Sequence, residues 1–88
     1  MTKKISIRIL KDARVRLTIS RLDVIEVLLE HGGIMSVLEI LQCLHLRNNQ
    51  IHVTNLYSTM RGLRQAHIVT SHEGMGKYMC YSLDSRVV

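Results

Sequence analysis

The clearest repeat of apolar residues runs from residue 20 to about residue 31 and has the period of an α-helix. Ser20 is a suitable residue to cap the start of this helix. Gly32 and Gly33 are suited to end it, because glycine enters the left-handed C-cap conformation at little cost. The apolar face consists of Leu22, Ile25, Leu28 and Leu29. The pattern predicts an amphipathic helix that packs against a core.

The segment before this helix fits two patterns. Ile5, Ile7 and Ile9 alternate as in a strand, whereas Ile5, Ile9 and Ala13 fit one face of a helix. Residues 11–14 favour a helix. We therefore predict a short basic helix or arm over residues 1–14.

Two further helices follow. Ser36 and Glu39 form a Ser-x-x-Glu capping box that opens the third helix, and residues 47–50 form a polar turn after it. The fourth helix is predicted from about His52 to Ala66, with an apolar face of Val53, Leu56, Met60 and Leu63. Its opposite face carries no acidic residue and consists of Thr54, Tyr57, Ser58, Arg61, Arg64 and Gln65. Gly62 marks either a close approach or a tolerated weakness, since glycine in a helix interior costs ~1 kcal/mol relative to alanine.

After residue 67 the pattern changes to that of strands. Residues 68–72 are rich in β-favouring side chains, residues 73–76 form a turn, and residues 77–83 alternate, with Met79 and Tyr81 facing the same way as Leu83. Three to four helices followed by a β-hairpin predict an α+β, mostly helical fold. That fold is a winged helix-turn-helix, formed as a single domain over residues 1–88.

Composition narrows the functional classes. Apolar residues make up 47% of the 88 residues, and Trp, Phe and Pro are absent, so the core is expected to be aliphatic. No apolar run approaches the ~20 residues of a membrane span, and no signal-peptide pattern opens the chain. We expect a cytoplasmic protein without a membrane partner. Cys43 and Cys80 form no Cys-x-x-Cys pair, which indicates reduced thiols rather than a structural zinc site.

The net charge of +5 is unevenly distributed along the chain. Residues 1–21 carry +6, residues 22–46 carry −4, and residues 47–88 carry +3. Such segregation indicates a basic face presented to a polyanion, with a solvated N-terminal arm as the alternative explanation.

The acid-free face of the fourth helix is the candidate DNA-reading surface, and an ordinary solvated helix face is the alternative. Arginine can pair with guanine or with phosphate, and a tyrosine ring can contact thymine methyl groups. Basic side chains near the second helix and beside the hairpin turn are candidates for further contacts. The residues predicted to contact double-stranded DNA are Arg16, Arg21, Thr54, Asn55, Tyr57, Ser58, Arg61, Arg64 and Lys77.

Other chemistry is not expected from this sequence. No two histidines have the His-x3-His spacing of a helical metal site, serine, histidine and aspartate are too scattered for a triad, and no glycine-rich phosphate loop occurs. We predict no enzymatic activity, no metal, no cofactor and no small-molecule substrate.

The ordered segments resemble the ferric uptake regulator (Fur) family. Residues 18–29 resemble the start of the family's second helix, and residues 36–41 its "SAEDLY" third helix. Residues 53–60 resemble the "ATVYRxL" recognition helix, and residues 66–70 the "GIV" entry into the wing. The resemblance covers residues 14–83. It implies the family's winged-helix DNA-binding domain and a role in transcription regulation in bacteria.

The resemblance also assigns roles and shows departures. Arg16 matches a family lysine that approaches the minor groove, and Arg21 matches a backbone-contacting arginine. The family's regulatory metal site draws a histidine from the turn where residues 32–35 stand here, and a glutamate where Ser82 stands. Ser58 replaces the arginine that follows the recognition-helix tyrosine. We therefore expect a stand-alone DNA-binding domain, without the dimerisation and metal-sensing domain.

Two functional hypotheses remain at this stage. The first is a sequence-specific DNA-binding transcription regulator. Because so small a reader covers only a few base pairs, it is expected to act as a homodimer on a symmetric site. The second is a protein-interaction module that pairs with another regulator and modulates it.

Overall fold

The computed structural model describes residues 2–73, 76 and 78–87. This part of the chain contains four helices and three short strands. In chain order they are α1 (Thr2–Asp12), α2 (Ile19–His31), β1 (Met35–Ser36), α3 (Val37–Leu46), α4 (Val53–Gln65), β2 (Val69–His72) and β3 (Cys80–Leu83). The winged helix-turn-helix is confirmed, with α3 and α4 as the helix-turn-helix and β2 and β3 as the strands of the wing. Within the described ranges, no helix is long and apolar enough to cross a membrane.

The start of α2 differs from the prediction, whereas its end does not. Thr18, not Ser20, caps the helix: its Oγ1 accepts the Arg21 N–H at 3.1 Å. Thr18 supplies the same capping oxygen from an extended backbone, so the helix begins one residue before Ser20. Gly32 ends α2 as predicted, with φ 75° and its N–H donating to the Leu28 carbonyl at 3.0 Å.

The other three helices end in a Schellman motif, in which backbone N–H groups cap the last carbonyls. Arg14, Asn48 and His67 lie in the left-handed region after α1, α3 and α4, with φ 58°, 65° and 61°. After α4, the His67 N–H donates to the Arg64 carbonyl and the Ile68 N–H to the Leu63 carbonyl. Left-handed backbone is costly for residues other than glycine, and His67 adopts it here at the end of α4.

The strands form one antiparallel sheet in the order β1-β3-β2. β2 and β3 pair from Val69↔Leu83 to His72↔Cys80, which confirms the predicted hairpin, although its second strand begins at Cys80 and not at residue 77. β1 pairs with the other edge of β3 through Met35↔Tyr81. The sequence analysis missed β1, because a two-residue strand carries no periodic signal.

The core lies between the helices and the sheet and is almost entirely aliphatic. Its fully buried side chains include Leu10, Ile25, Leu28, Ile40, Leu44, Leu56, Met60, Leu63 and Ile68. Val53 was expected on the buried face of α4, but it is 39% exposed. It is the first residue of α4, at an end of the helix where residues 52–55 are all exposed.

Candidate nucleic-acid interface

Helix α4 is fixed to the core by one face and presents the other to solvent. Leu56, Met60 and Leu63 are fully buried and determine which side of the helix faces outward. The exposed side carries five of the residues predicted to contact DNA, and Tyr57 lies half-buried beside them. These five are Thr54, Asn55, Ser58, Arg61 and Arg64. The structure therefore brings six predicted residues together on one helix.

The first turns of α4 offer short polar side chains. Thr54, Asn55 and Ser58 are exposed, and no hydrogen bond engages their side-chain atoms within the described residues. Thr59 differs, because its hydroxyl donates to the Asn55 carbonyl at 3.0 Å. The polar groups that remain available here are those a recognition helix uses at base edges.

The second half of α4 forms one wall of a groove against the wing. The groove has a volume of about 290 Å³ and is lined by Tyr57, Arg61, Arg64, Gln65, Met79 and Tyr81. The Arg64 Nη1 donates to the Ser71 hydroxyl of β2 at 3.4 Å. Burial raises the pKa of Tyr81, Tyr57 acts in the same direction, and the guanidinium groups of Arg64 and Arg61 act against them. Two arginines and two tyrosines thus share one site.

Arg21 joins the loop before α2 to α4. Its Nη1 donates to the Arg16 carbonyl at 2.7 Å, and its Nη2 lies 4.0 Å from the position that a Cβ on Gly62 would occupy. Arg21 is partly exposed and Arg16 is exposed. The Arg21 side chain therefore lies beside α4 at Gly62, and the Arg16 backbone is hydrogen-bonded to it. Lys77, the predicted wing contact, lies outside the described residues.

The acidic residues of α2 are engaged elsewhere. Arg47, after α3, forms ion pairs with Glu30 and, at 3.6 Å, with Glu26, and the Asn49 side chain donates to Asp23 at 2.9 Å. Burial lowers the pKa of Arg47, but the hydrogen bond and charge of Glu30, with the charges of Glu26 and Asp23, outweigh it and hold this pKa above its ordinary value. The α2 carboxylates thus stabilise the connection between α3 and α4.

A second groove, of about 420 Å³, lies where the end of α2 meets β3. It is lined by Leu28, Leu29, Gly32, Gly33, Ser82 and Leu83. The Ser82 hydroxyl is hydrogen-bonded to His72 Nε2 at 2.8 Å. No group of three histidine, cysteine, aspartate or glutamate side chains that could hold a metal ion occurs in the described ranges. The groove is mainly apolar.

Sequence reasoning missed the wing residues that complete the α4 groove. Ser71, on β2, and Met79, next to β3, lie seven and fifteen residues after Arg64, and only the docking of the hairpin brings them to this helix. The alternating pattern of the last strand had predicted only that Tyr81 faces the same way as Met79 and Leu83. It gave no information about which helix residues Tyr81 would meet.

Comparisons with known proteins agree with this fold. A sequence model of the ferric uptake regulator family matches residues 12–87. The solved structure of the Vibrio cholerae ferric uptake regulator superposes with a TM-score of 0.79 at 28% identity, covering 90% of this chain and 61% of that one. A comparison with curated protein sequences gave no match.

Two further solved structures share the fold at lower identity. The ferric uptake regulator from Pseudomonas aeruginosa, solved with manganese, gives a TM-score of 0.79 at 20% identity over 91% of this chain and 61% of that one. The peroxide-sensing PerR from Streptococcus pyogenes gives 0.73 at 14% identity over 93% of this chain and 56% of that one. The chain spans about 60% of the length of the two ferric uptake regulators.

Proposed function

The chain belongs to the ferric uptake regulator family, and from that premise we propose that its 88 residues bind double-stranded DNA sequence-specifically as part of a transcription regulator. Helix α4 enters the major groove, and the β2–β3 hairpin lies against the backbone beside it. Arg21, beside α4, and Arg16, before α2, contact the phosphates or the minor groove. Lys77 adds a contact from the wing.

The exposed face of α4 is the observation that carries this proposal. It presents polar and basic side chains without one carboxylate, on a helix held by three fully buried residues. Arginine, asparagine and serine are side chains that pair with base edges. A rigid helix with such a face beside a wing supports duplex recognition.

We further propose that this binding does not depend on the family's regulatory metal. The Pseudomonas regulator was solved with manganese, but the residues at the matching positions of this chain do not fit such a site. Gly32 and Gly33 have no side-chain donor, and the Ser82 hydroxyl is already hydrogen-bonded to His72. Affinity for DNA is expected to be the same with EDTA as with added iron, zinc or manganese.

Two copies are proposed to occupy one symmetric site. One recognition helix contacts only a few base pairs, and useful specificity in a genome requires more. A homodimer on a palindromic sequence supplies it. Cooperative binding with a footprint of two half-sites is the expected observation.

The test is a titration of labelled genomic fragments followed by footprinting on those that bind. Asn55→Ala and Ser58→Ala should each weaken binding to the selected site by about 1–3 kcal/mol, the value of one base contact. Gln42→Ala is the matched control, because Gln42 is an exposed polar residue on α3. If both α4 variants bound as well as the control, α4 would not be the reader.

A second candidate function is the protein-interaction module. It is favoured by exposed apolar side chains outside α4: Leu46 is 85% exposed, Ile34 55% and Leu38 41%. If the protein pairs with another regulator through these side chains, the wild type should bind that regulator and the Leu46→Lys variant should not. DNA binding would not change in that variant.

A further inference from the structure

We propose that Arg61 and Arg64 hold one backbone phosphate of duplex DNA in the groove between α4 and the wing, so that only the first half of α4 reads bases. This inference rests on the proposed function and assigns different roles to the two halves of α4. Thr54, Asn55 and Ser58 then determine the sequence, whereas the arginine pair determines attachment and register.

The charges of the groove are suited to an anion. Arg61 and Arg64 lie three residues apart on the same helix face, where two like charges destabilise a helix. Within the described ranges, neither guanidinium has a carboxylate within 4.0 Å, whereas Arg47 has two and Arg86 has one. A phosphate between the two guanidinium groups removes their repulsion and accepts charge-assisted hydrogen bonds.

The walls of the groove supply further donors. Tyr57 and Gln65 line it from α4, and Tyr81 lines it from β3. The hydrogen bond from Arg64 Nη1 to the Ser71 hydroxyl, at 3.4 Å, holds this guanidinium toward the wing and away from the first turns of α4. Arg64 is therefore directed to a ligand that lies between the helix and the hairpin.

Geometry favours a phosphate over a base edge at this place. The major groove is about 12 Å wide, and one helix with its side chains fills it. The second half of α4 is flanked by the wing. The helix and the wing together are too wide to reach the bases at the floor of the major groove. Asn55 and Arg64 are nine residues apart, or about 13.5 Å along the helix axis. When the exposed first turns of α4 lie over the bases, the arginine pair lies beside the DNA backbone that borders the major groove.

The experiment compares Arg61→Gln and Arg64→Gln with Arg86→Gln. Arg86 is a matched control because it loses the same charge but already pairs with Asp84 at 3.3 Å. Affinity is measured for the footprinted site and for an unrelated duplex over a range of salt. Each groove variant should weaken binding to both duplexes by the same factor, roughly tenfold. The double variant Arg61→Gln/Arg64→Gln, which removes both guanidinium groups from the phosphate, should also reduce the slope of log affinity against log salt by about 0.9.

A duplex series with single methylphosphonate substitutions locates the phosphate. The wild type should lose affinity at one position in each half-site, and the double variant Arg61→Gln/Arg64→Gln should lose nothing further there. Arg64→Lys should retain the salt slope, since it retains the charge.

Two results would overturn the inference while leaving the proposed function in place. One is a change in the ratio between the two duplexes at an unchanged slope, which would make the arginines base readers. The other is behaviour identical to that of Arg86→Gln. If the wild type bound no duplex at all, the proposed function and this inference would both be wrong.

Discussion

Gly62 lies in the interior of α4 with space for a methyl group. A Cβ built on it would have a single near neighbour, the Arg21 Nη2 at 4.0 Å, which is an ordinary van der Waals distance. Of the two explanations that the sequence allowed, a close approach and a tolerated weakness, the geometry supports the second.

We therefore expect Gly62→Ala to raise the free energy of unfolding by about 0.5–1 kcal/mol, because alanine has the higher helix propensity and a less flexible unfolded state. Urea denaturation measures the change. Gly32→Ala is the control and should destabilise, since Gly32 has φ 75°. A loss of stability in Gly62→Ala would mean that the contact with Arg21 is tighter than the distance indicates.

Ser58 is the residue at which specificity should depart from that of the family. It is exposed on α4, where the family resemblance places an arginine. Ser58→Arg should favour a Fur-type sequence over this protein's own site by about 1–3 kcal/mol, because arginine adds a bidentate guanine contact. Both duplexes are titrated with both proteins at one salt concentration. An equal gain on the two duplexes would show that the added charge, not base recognition, is responsible.

At the scale of elements, the capping box of α3 links helix stability to pH. The Ser36 N–H donates to Glu39 Oε1 at 2.9 Å, and the Glu39 N–H donates to Ser36 Oγ at 3.1 Å. The hydrogen bond from the Ser36 backbone, and then that with its side chain, lowers the pKa of Glu39 below its ordinary value. The stabilisation by the carboxylate is therefore complete above the ordinary glutamate pKa and is lost as the pH falls through the lowered value in the folded state.

The expected outcome is a difference in Tm between the wild type and Glu39→Gln that is present at neutral pH and disappears in acid. Glutamine can still accept the Ser36 N–H but carries no charge. Thermal unfolding of both proteins between about pH 7 and pH 3 measures the difference. A constant difference over the whole range would show that the charge of Glu39 contributes nothing to α3.

The elements that could be predicted are those with a strong local signal. The helical spacing of apolar residues, the glycine pair and the capping box are local features, and they correctly predicted α2, α3 and α4. The capping residue of α2 was misassigned, and strand β1 was missed. Thr18 and Ser20 offer the same capping hydroxyl, so sequence alone could not choose between them, and β1 exists only because β3 lies beside it. The α4 face was predictable for the same local reason, but its groove with Ser71 and Tyr81 was not, since tertiary docking creates it.

At the scale of the whole molecule, one small core holds every element that carries the site. Leu56 is fully buried on the inner face of α4. Leu56→Ala should cost about 2–5 kcal/mol through lost burial and a cavity. That is a large part of the ~5–15 kcal/mol stability of a typical domain.

Urea denaturation followed by circular dichroism should show Leu56→Ala largely unfolded at concentrations where the wild type is folded. Val53→Ala is the matched control on the same helix and should change stability little, because Val53 is 39% exposed. Equal effects of the two substitutions would contradict the assignment of the inner face of α4.

The measurement that tests the central claim most directly is the salt dependence of duplex binding by the wild-type protein. Fluorescence anisotropy titrations of the footprinted site are made at several salt concentrations between roughly 0.05 and 0.2 M. Four to six phosphate contacts per copy predict a slope of log affinity against log salt of about −4 to −5 for each copy bound. A flat dependence over this range would contradict the claim that this protein binds DNA through its basic face.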